Sequence, residues 1–510
     1  MTPDAALEQR DRAARERALD VGQSFLVQAP AGSGKTGLLI QRLLALLAVV
    51  DRPEAILAMT FTRKAAAEMR ERVLRALRDA AMDTHVDAAH VHDATTRDLA
   101  RAALRQDARH DWQLLANPSR LRVLTIDALA ASFARQAPIA TGLGALPAFV
   151  DDATAHYREA VADALVAADA DDPHWRNFLL HLDNDAEAVT SLLAGMLARR
   201  EQWLRLPIGV PDALLRTELE GALRREAEGA LRRLTNLIPR DLAGSLPEHQ
   251  AYAAGNLDAE GSAPERAALL RKLSGEGGLP APDAAALDPW RELADWLLVK
   301  DAARFRQALT RSVGFPGKGS GAGAREREAA NAAMKAWLAA ADAVPGLRTA
   351  LDAARTLPPP RYTDQAWSFV AATLALLPTL ASHLQLVFAR TGETDYSESS
   401  LRALTALGDA ENPGDLLLAA DLRIAHVLVD EFQDTSVTQL DLIGRLTAGW
   451  DPGDGRTLFA VGDPMQSIYR FREAEVRNFL DAGTRRRINN VAVECLTLAR
   501  NFRSRLPVVT

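Results

Sequence analysis

Short apolar runs recur at both ends of the chain and are nearly absent between them. They occupy 25–27, 56–59, 123–126, 427–429, 458–461 and 491–496, each bounded by polar or turn residues. Runs of this kind are the pattern of strands buried on both faces of a parallel sheet. Polar clusters follow most of them directly, and an open α/β sheet binds its ligand beyond the carboxyl ends of its strands. From about 141 to 390 the pattern changes to Ala, Leu, Arg and Glu at helical spacing, as in Leu192, Leu193, Met196 and Leu197, and later Leu374, Leu376 and Leu377. The fold expected is therefore α/β, a parallel-sheet domain carrying a large helical insertion. Loops around 275–282 and 314–324 interrupt the insertion. The second contains Gly317, Lys318, Gly319, Ser320 and Gly321. With no strand before it and no Gly-Lys-Thr ending, it reads as a flexible linker rather than a phosphate loop.

The first apolar run leads into Ala29, Pro30, Ala31, Gly32, Ser33, Gly34, Lys35 and Thr36, and a Leu-rich helical stretch follows from Leu38 to Leu47. Strand, Gly-rich loop and helix in that order make a nucleotide-phosphate cradle. Gly32 and Gly34 let backbone N–H groups turn toward phosphate oxygens. Lys35 is placed to reach the β and γ phosphates of ATP, and the Thr36 hydroxyl to hold Mg²⁺. The helix N-terminus adds partial positive charge. Ala29 departs from the Gly of the strict pattern. A second run, His426 to Asp434, ends an apolar strand in two adjacent carboxylates. Asp430 suits a Mg²⁺ contact, and Glu431 suits orientation or deprotonation of an attacking water, so the pair argues for hydrolysis over passive binding.

Composition sets the remaining bounds. The chain has 510 residues, 48% hydrophobic and 25% charged, as in a globular protein of two to four domains. A net charge of −7 gives no global basic signature, so a nucleic-acid partner would have to be held by a local groove. The single Cys495 excludes a disulfide framework and a thiolate metal cluster within the chain, and its place in a β-like run predicts a buried, inert thiol. Met1 to Leu19 is charged and polar, unlike a signal peptide. The apolar stretch 38–50 is interrupted by Gln41 and Arg42 and is too short to span a bilayer. The expectation is a cytoplasmic protein with no membrane partner. His85, His90 and His92 with Asp87 and Asp93 fit no closed metal site and read as a solvated segment. Trp175, Trp203, Trp290, Trp296, Trp337 and Trp367 read mainly as core, with room for one or two along a DNA path. The pairs Arg199-Arg200, Arg224-Arg225 and Arg232-Arg233 fit either a basic face for duplex DNA or solvated helix faces balanced by Glu.

Further motifs carry a specific resemblance. The segment 430–436 (Asp-Glu-Phe-Gln-Asp-Thr-Ser) resembles the Walker B motif of UvrD/Rep-type superfamily 1 DNA helicases, and 462–472 (Gly-Asp-Pro-Met-Gln-Ser-Ile-Tyr-Arg-Phe-Arg) resembles their motif III. Residues 60–69 resemble motif Ia, 125–128 motif Ib, 501–504 motif IV, and Asp395-Tyr396 a short Asp-aromatic element of the family. The Ile-Tyr-Arg-Phe-Arg and Thr-Ile-Asp forms and the large insertion are similar to the RecB/AddA branch, helicase subunits of double-strand-break repair complexes.

The resemblance implies a RecA-like P-loop NTPase fold, with ATP and Mg²⁺ as cofactors. The partners it implies are single-stranded and duplex DNA, and further a second helicase-nuclease subunit. It implies 3′ to 5′ movement on single-stranded DNA. Gln466 would couple the γ-phosphate to the DNA-facing loop, Arg503 would contact the γ-phosphate, Phe502 would stack on adenine, and Gln9 would read adenine. Thr60, Thr62, Lys64 and Thr125 would contact DNA, Thr62 serving equally as a helix cap. Tyr469 and Phe471 would stack on bases, core packing being their alternative. Ala128 removes a hydroxyl usual in motif Ib, and Glu473 stands where many relatives have Gly. The expected layout is a first motor segment 1–140, a helical insertion 141–390, a second motor segment 391–495, and 496–510 opening a second motor domain. The chain is expected to be the N-terminal portion of a longer helicase, without motifs V and VI or a nuclease domain, and disordered near its end. The alternative expectation is a DNA- and nucleotide-binding module without motor activity.

Overall fold

The computed structural model describes residues 3–82, 91–136, 147–204, 211–300, 303–317, 323–408, 414–421, 423–467 and 475–500. The chain divides into two compact units, one formed by Met1–Asp172, Leu182–Leu206 and Leu376–Thr510, the other by Pro173–His181 and Pro207–Ala375.

The first unit is built on a six-stranded sheet of β1 (Phe25–Gln28), β2 (Ile56–Thr60), β3 (Arg122–Thr125), β4 (His426–Val429), β5 (Thr457–Gly462) and β6 (Glu494–Thr497), in the order β6-β1-β5-β4-β2-β3. Every pairing is parallel, so all carboxyl ends open on one edge. Alternate residues feed opposite faces, the period of an extended chain. Phe25, Val27, Ile56, Ala58, Leu428, Phe459 and Val461 join one core cluster. Leu26, Leu57, Met59, Val427, Val429, Leu458 and Ala460 join the other. The first face is covered by α1 (Pro3–Ala18), α2 (Lys35–Leu47), α3 (Arg63–Ala81) and α4 (Val91–His110). The second is covered by α5 (Ile126–Gln136), α6 (Tyr396–Leu407), α7 (Val437–Leu446) and α8 (Val476–Arg485).

Arg42 and His426 sit at the amino-terminal end of the sheet. Arg42 is fully buried, its guanidinium 5.5 Å from the Phe25 ring centroid and 5.4 Å from that of Phe459, and it donates to the carbonyls of Ala18 and Gln23 at 3.0 and 2.8 Å. Burial pulls its pKa down to about 10. His426 bonds the Thr457 hydroxyl through Nδ1 at 2.8 Å, and burial, reinforced by the Arg42 charge, lowers its pKa from 6.5 to about 4. A histidine depressed in the folded state binds its proton more readily when unfolded. Its stabilising contribution is complete above pH 6.5 and is lost as pH falls toward 4. His426 is expected to account for a loss of about 3 kcal/mol over that window. Comparing urea midpoints of wild type and His426→Gln at both ends tests this, because the variant should lack that share of the acid sensitivity.

The second unit is helical, with Asp212–Leu237, Arg240–Ala259, Pro264–Gly275, Leu287–Leu297, Ala324–Asp342 and Leu347–Thr356 packed around Trp290, Trp296, Phe315 and Trp337. Gly314 is required there. It has φ +83°, and a Cβ would lie 2.5 Å from the Ala253 carbonyl oxygen. Trp175, Trp203, Trp290, Trp296, Trp337 and Trp367 are all buried, which leaves none to line a DNA path.

Several expectations need correction. The apolar run 491–496 splits in two. Val491–Ala492 pairs antiparallel with Arg487–Ile488, and β6 pairs with β1 over its whole length, so this strand is an ordered part of the parallel sheet. Residues 501–510 lie outside the described residues. Cys495 is exposed, because β6 is an edge strand. Arg200 is neither solvated nor on a basic face: it is 1% exposed and donates to Asp395 (2.8 Å through Nη1) and Glu398 (3.3 Å through Nη2). Arg224, Arg225, Arg232 and Arg233 are exposed, and Arg232 and Arg233 face Glu228 and Glu226. One described helix, Asp364–Thr391, is long and apolar enough to cross a membrane by length and composition. Its Leu376, Leu380, Leu384 and Val387 are buried at the spacing of a core-facing stripe.

Candidate nucleotide site

The chain leaves β1 at Gln28, crosses 29–34 and enters α2 at Lys35. Gly32 and Gly34 have φ of 77° and 79°, left-handed backbone that glycine adopts without a Cβ penalty. The loop is pinned at its start, where Ala29 N–H donates to the Gly462 carbonyl at 2.9 Å, and Ser33 N–H closes it on the Pro30 carbonyl at 3.0 Å. Ala29 packs its methyl group into the core, which accommodates its departure from Gly. Ser33 is buried, Pro30, Ala31 and Gly34 are exposed, and Gly32, Lys35 and Thr36 are half-buried.

The acidic pair lies at the end of β4. Asp430 N–H continues the ladder to the Met59 carbonyl at 2.8 Å, and the residue is 7% exposed. Burial, then the neighbouring Glu431 charge, pushes its pKa up to about 6, against the pull of Lys35. Glu431 adopts φ +51°, a conformation that costs a non-glycine residue roughly 1–3 kcal/mol and is kept where surrounding contacts demand it. The turn brings its Oε2 to 2.8 Å from Lys35 Nζ and 2.9 Å from Gln433 Nε2. Cradle and acidic pair, far apart in sequence, thus meet in one site.

Gln433 ties that site to the end of β5. Nearly fully buried, it donates through Nε2 also to Asp434 (3.0 Å), and its Oε1 accepts from Asp463 N–H at 2.9 Å. Gly462 makes room for it, since a Cβ there would lie 2.3 Å from Gln433 Oε1. Asp463 in turn accepts from the Gln466 side-chain amide, and Ser467 Oγ donates to Asp434 at 2.8 Å. Burial raises the Asp434 pKa, and Glu431 adds to the rise. Glu431, Gln433, Asp463 and Gln466 form one hydrogen-bonded chain.

The DNA-contact candidates divide. Thr62 caps α3, its hydroxyl accepting from Ala65 N–H at 3.1 Å, and Lys64 is exposed in the first turn. Thr125 is buried and accepts from Ala128 N–H at 3.0 Å. Thr60 is fully buried and has no surface to offer a phosphate. Gln9 is exposed on α1. Tyr469, Phe471, Phe502 and Arg503 lie outside the described residues, as do the side chains of the 85–93 His/Asp cluster. Among the described residues no group of three or more His, Cys, Asp or Glu side chains could hold a metal ion.

The sequence profile of the UvrD/REP helicase N-terminal domain matches residues 10–170 and 348–486, more than half of the chain. The chain belongs to the UvrD/REP helicase family. The gap in that match, 171–347, covers most of the helical second unit. The chain is 28% identical to the AddA component of the ATP-dependent helicase/nuclease of Moorella thermoacetica, over 95% of its length and 33% of that relative's. It is 26% identical to the protein of the same name from Lysinibacillus sphaericus over 90% of its length and 36% of the relative's. A shorter stretch, 16% of the chain and 7% of the relative, is 46% identical to the ATP-dependent DNA helicase SRS2 of Saccharomyces cerevisiae. The chain thus spans about a third of the length of these two AddA relatives.

Several parts of this UvrD/REP domain were not singled out by sequence reasoning. Gln433, Asp434 and Asp463 sit inside recognised motifs, but their pairing crosses strands. Asp395 was noted, yet two of its partners, Tyr157 and Arg200, are non-local. It caps α6 through Glu398 N–H (2.7 Å) and accepts from Tyr157 Oη (2.6 Å) and Arg200. Ser436 and Gln439 form a capping box on α7, with Ser436 Oγ bonded to Glu201 (3.2 Å) and Gln439 to Asp127 (2.8 Å). The Ser-x-x-Gln spacing was the available signal.

Proposed function

We propose that this chain is the ATP-binding motor segment of a DNA helicase or translocase, moving 3′ to 5′ on single-stranded DNA in double-strand-break repair. The observation that carries the reading is the convergence of Lys35 and Gln433 on Glu431 at the carboxyl edge of the sheet. In the proposed layout, 1–140 and 391–495 form the RecA-like motor domain, which β6 carries on to Thr497, 141–390 the helical insertion, and the remainder of 496–510 leads toward a second motor domain. The location is cytoplasmic, and the partners are single-stranded and duplex DNA with a second helicase-nuclease subunit.

The residues fit Mg·ATP. Thr36 and Asp430 offer the hard oxygen donors that Mg²⁺ takes, and the buried Asp430 carboxylate, unfavourably charged as it stands, is where a cation would be relieving. The metal ion would neutralise phosphate charge. Loop 29–34 and the amino terminus of α2 hold the phosphates by backbone N–H groups. Lys35 exchanges Glu431 for the phosphates, and Glu431, released, orients a water and takes its proton. Gln433 keeps Glu431 in place and passes its position to Asp463 and Gln466, the route by which hydrolysis reaches the DNA-facing segment. Thr62, Lys64, Thr125, Tyr469 and Phe471 contact DNA, while Arg503, Phe502 and Gln9 complete the nucleotide site.

The test is ATP turnover by 1–510 with and without single-stranded DNA, beside equilibrium binding of a fluorescent ATP analogue. The expected result is nucleotide binding and a severalfold DNA-dependent rise in turnover. Binding of DNA and nucleotide without turnover would return the alternative, a binding module without motor activity. No nucleotide binding would overturn both.

A further inference from the structure

One face of α1 carries Glu8, Asp11 and Arg15, spaced at i, i+3 and i+7, and all three reach out of the helix. Arg15 Nη2 donates to the carbonyl of Ser33, inside the phosphate loop, at 2.5 Å, while its Nε donates to Asp11 Oδ2 at 2.7 Å. Asp11 is 3% exposed, and its other oxygen accepts from the backbone N–H groups of Ala499 (2.9 Å) and Arg500 (3.2 Å). Glu8 holds the Arg500 guanidinium at 2.6 Å. Leu498, buried just before, donates its N–H to the Gln28 carbonyl at 2.9 Å. The phosphate loop and the chain running out of β6 are therefore joined through two side chains. Gln9 lies two positions from Asp11, on another face, and is exposed.

We propose that Asp11 and Arg15 are positioning residues of the nucleotide site. They hold the Ser33 peptide so that the loop's N–H groups face the phosphates, and lock the loop to the Ala499–Arg500 backbone, so that the two move together when phosphate binds. The proposal rests on reading 29–36 as a phosphate cradle. The chemistry requires a planar fork: one guanidinium edge serves the carboxylate, the other the carbonyl. A lysine keeps the charge and loses one of the two bonds. Because the pair touches loop backbone and no base, its effect should be the same for any ligand with the phosphate chain.

The experiment measures binding of MgATP and of inorganic tripolyphosphate, by competition against a fluorescent ATP analogue, to wild type, Arg15→Lys, Asp11→Asn and the double variant of the full chain, with thermal midpoints alongside. Each single variant is expected to weaken both ligands roughly tenfold, the scale of one charge-assisted hydrogen bond. The double variant should be little worse than either, since both changes break one path. A merely structural pair would lower the thermal midpoint and leave both affinities unchanged, which overturns the proposal. Loss of ATP binding with tripolyphosphate unaffected would make this a base-reading site and overturns it too. If Arg15→Lys does not fold, Asp11→Asn, which keeps the side-chain volume, decides by the same criteria. If wild type itself bound neither ligand, the cradle reading would fall and the proposal with it. Wild-type binding with unchanged variants sinks the proposal alone.

Discussion

Lys35→Ala is expected to lower ATP turnover about 10³-fold, the scale of removing a preorganised donor from a site of charge development. Lys35 stands at the first position of α2 with its side chain 11% exposed and its ammonium 2.8 Å from Glu431. Its loss removes the only side-chain cation that the described geometry brings to Glu431, and with it the group that opposes the upward shift of the Asp430 pKa. Nucleotide affinity should fall together with turnover, because in the proposed function the lysine serves bound phosphate before and during reaction. Stability should change little. The Lys35–Glu431 pair is partly open to solvent on the Glu431 side, at 35% exposure, and such pairs contribute about 0–1 kcal/mol. Turnover and binding of the variant, measured beside its thermal midpoint, separate the two effects. Turnover within a few-fold of wild type would place the phosphate site elsewhere.

The parallel sheet was legible because strands buried on both faces are unbroken apolar runs. Five of the six fall within a residue or so of the runs at 25–27, 56–59, 123–126, 427–429 and 458–461. The sixth was misjudged because apolar residues of a short hairpin abut those of an edge strand, and apolarity alone carries no signal for the break between them at Val493. The exposure of Cys495 follows from the same edge position. Lys35, Thr36, Asp430 and Glu431 were legible one motif at a time, since each motif is local in sequence. Their convergence is not local: it depends on β1 and β4 flanking β5, and on a left-handed turn at a glutamate that no propensity predicts. Buried charge was the systematic blind spot. Asp11 and Arg15 lie in a helix full of solvated arginine and acid, Arg42 interrupts an apolar helix and Arg200 opens a four-residue one, so where each charge goes is invisible until partners from distant segments are seen.

Glu431→Gln separates the chemical step from binding, and is expected to lower turnover about 10²–10⁴-fold, the usual contribution of a positioned general base. The substitution preserves side-chain volume, and an amide oxygen can still accept from Gln433, so the turn at Glu431 and the chain through Gln433 to Asp463 should persist. What disappears is the charge that holds Lys35 and the capacity to take a proton from water. Lys35, no longer paired with a carboxylate at 2.8 Å, becomes free for phosphate. Nucleotide affinity should therefore hold or rise while turnover collapses, the opposite of the joint loss expected for Lys35→Ala. A single titration with the fluorescent ATP analogue, run on both variants, reads this contrast. Weaker binding by Glu431→Gln would mean that Glu431 organises the cradle through Lys35 and that the base lies elsewhere on the same edge of the sheet. Asp434, also buried and also bonded to Gln433, would be the next residue to replace.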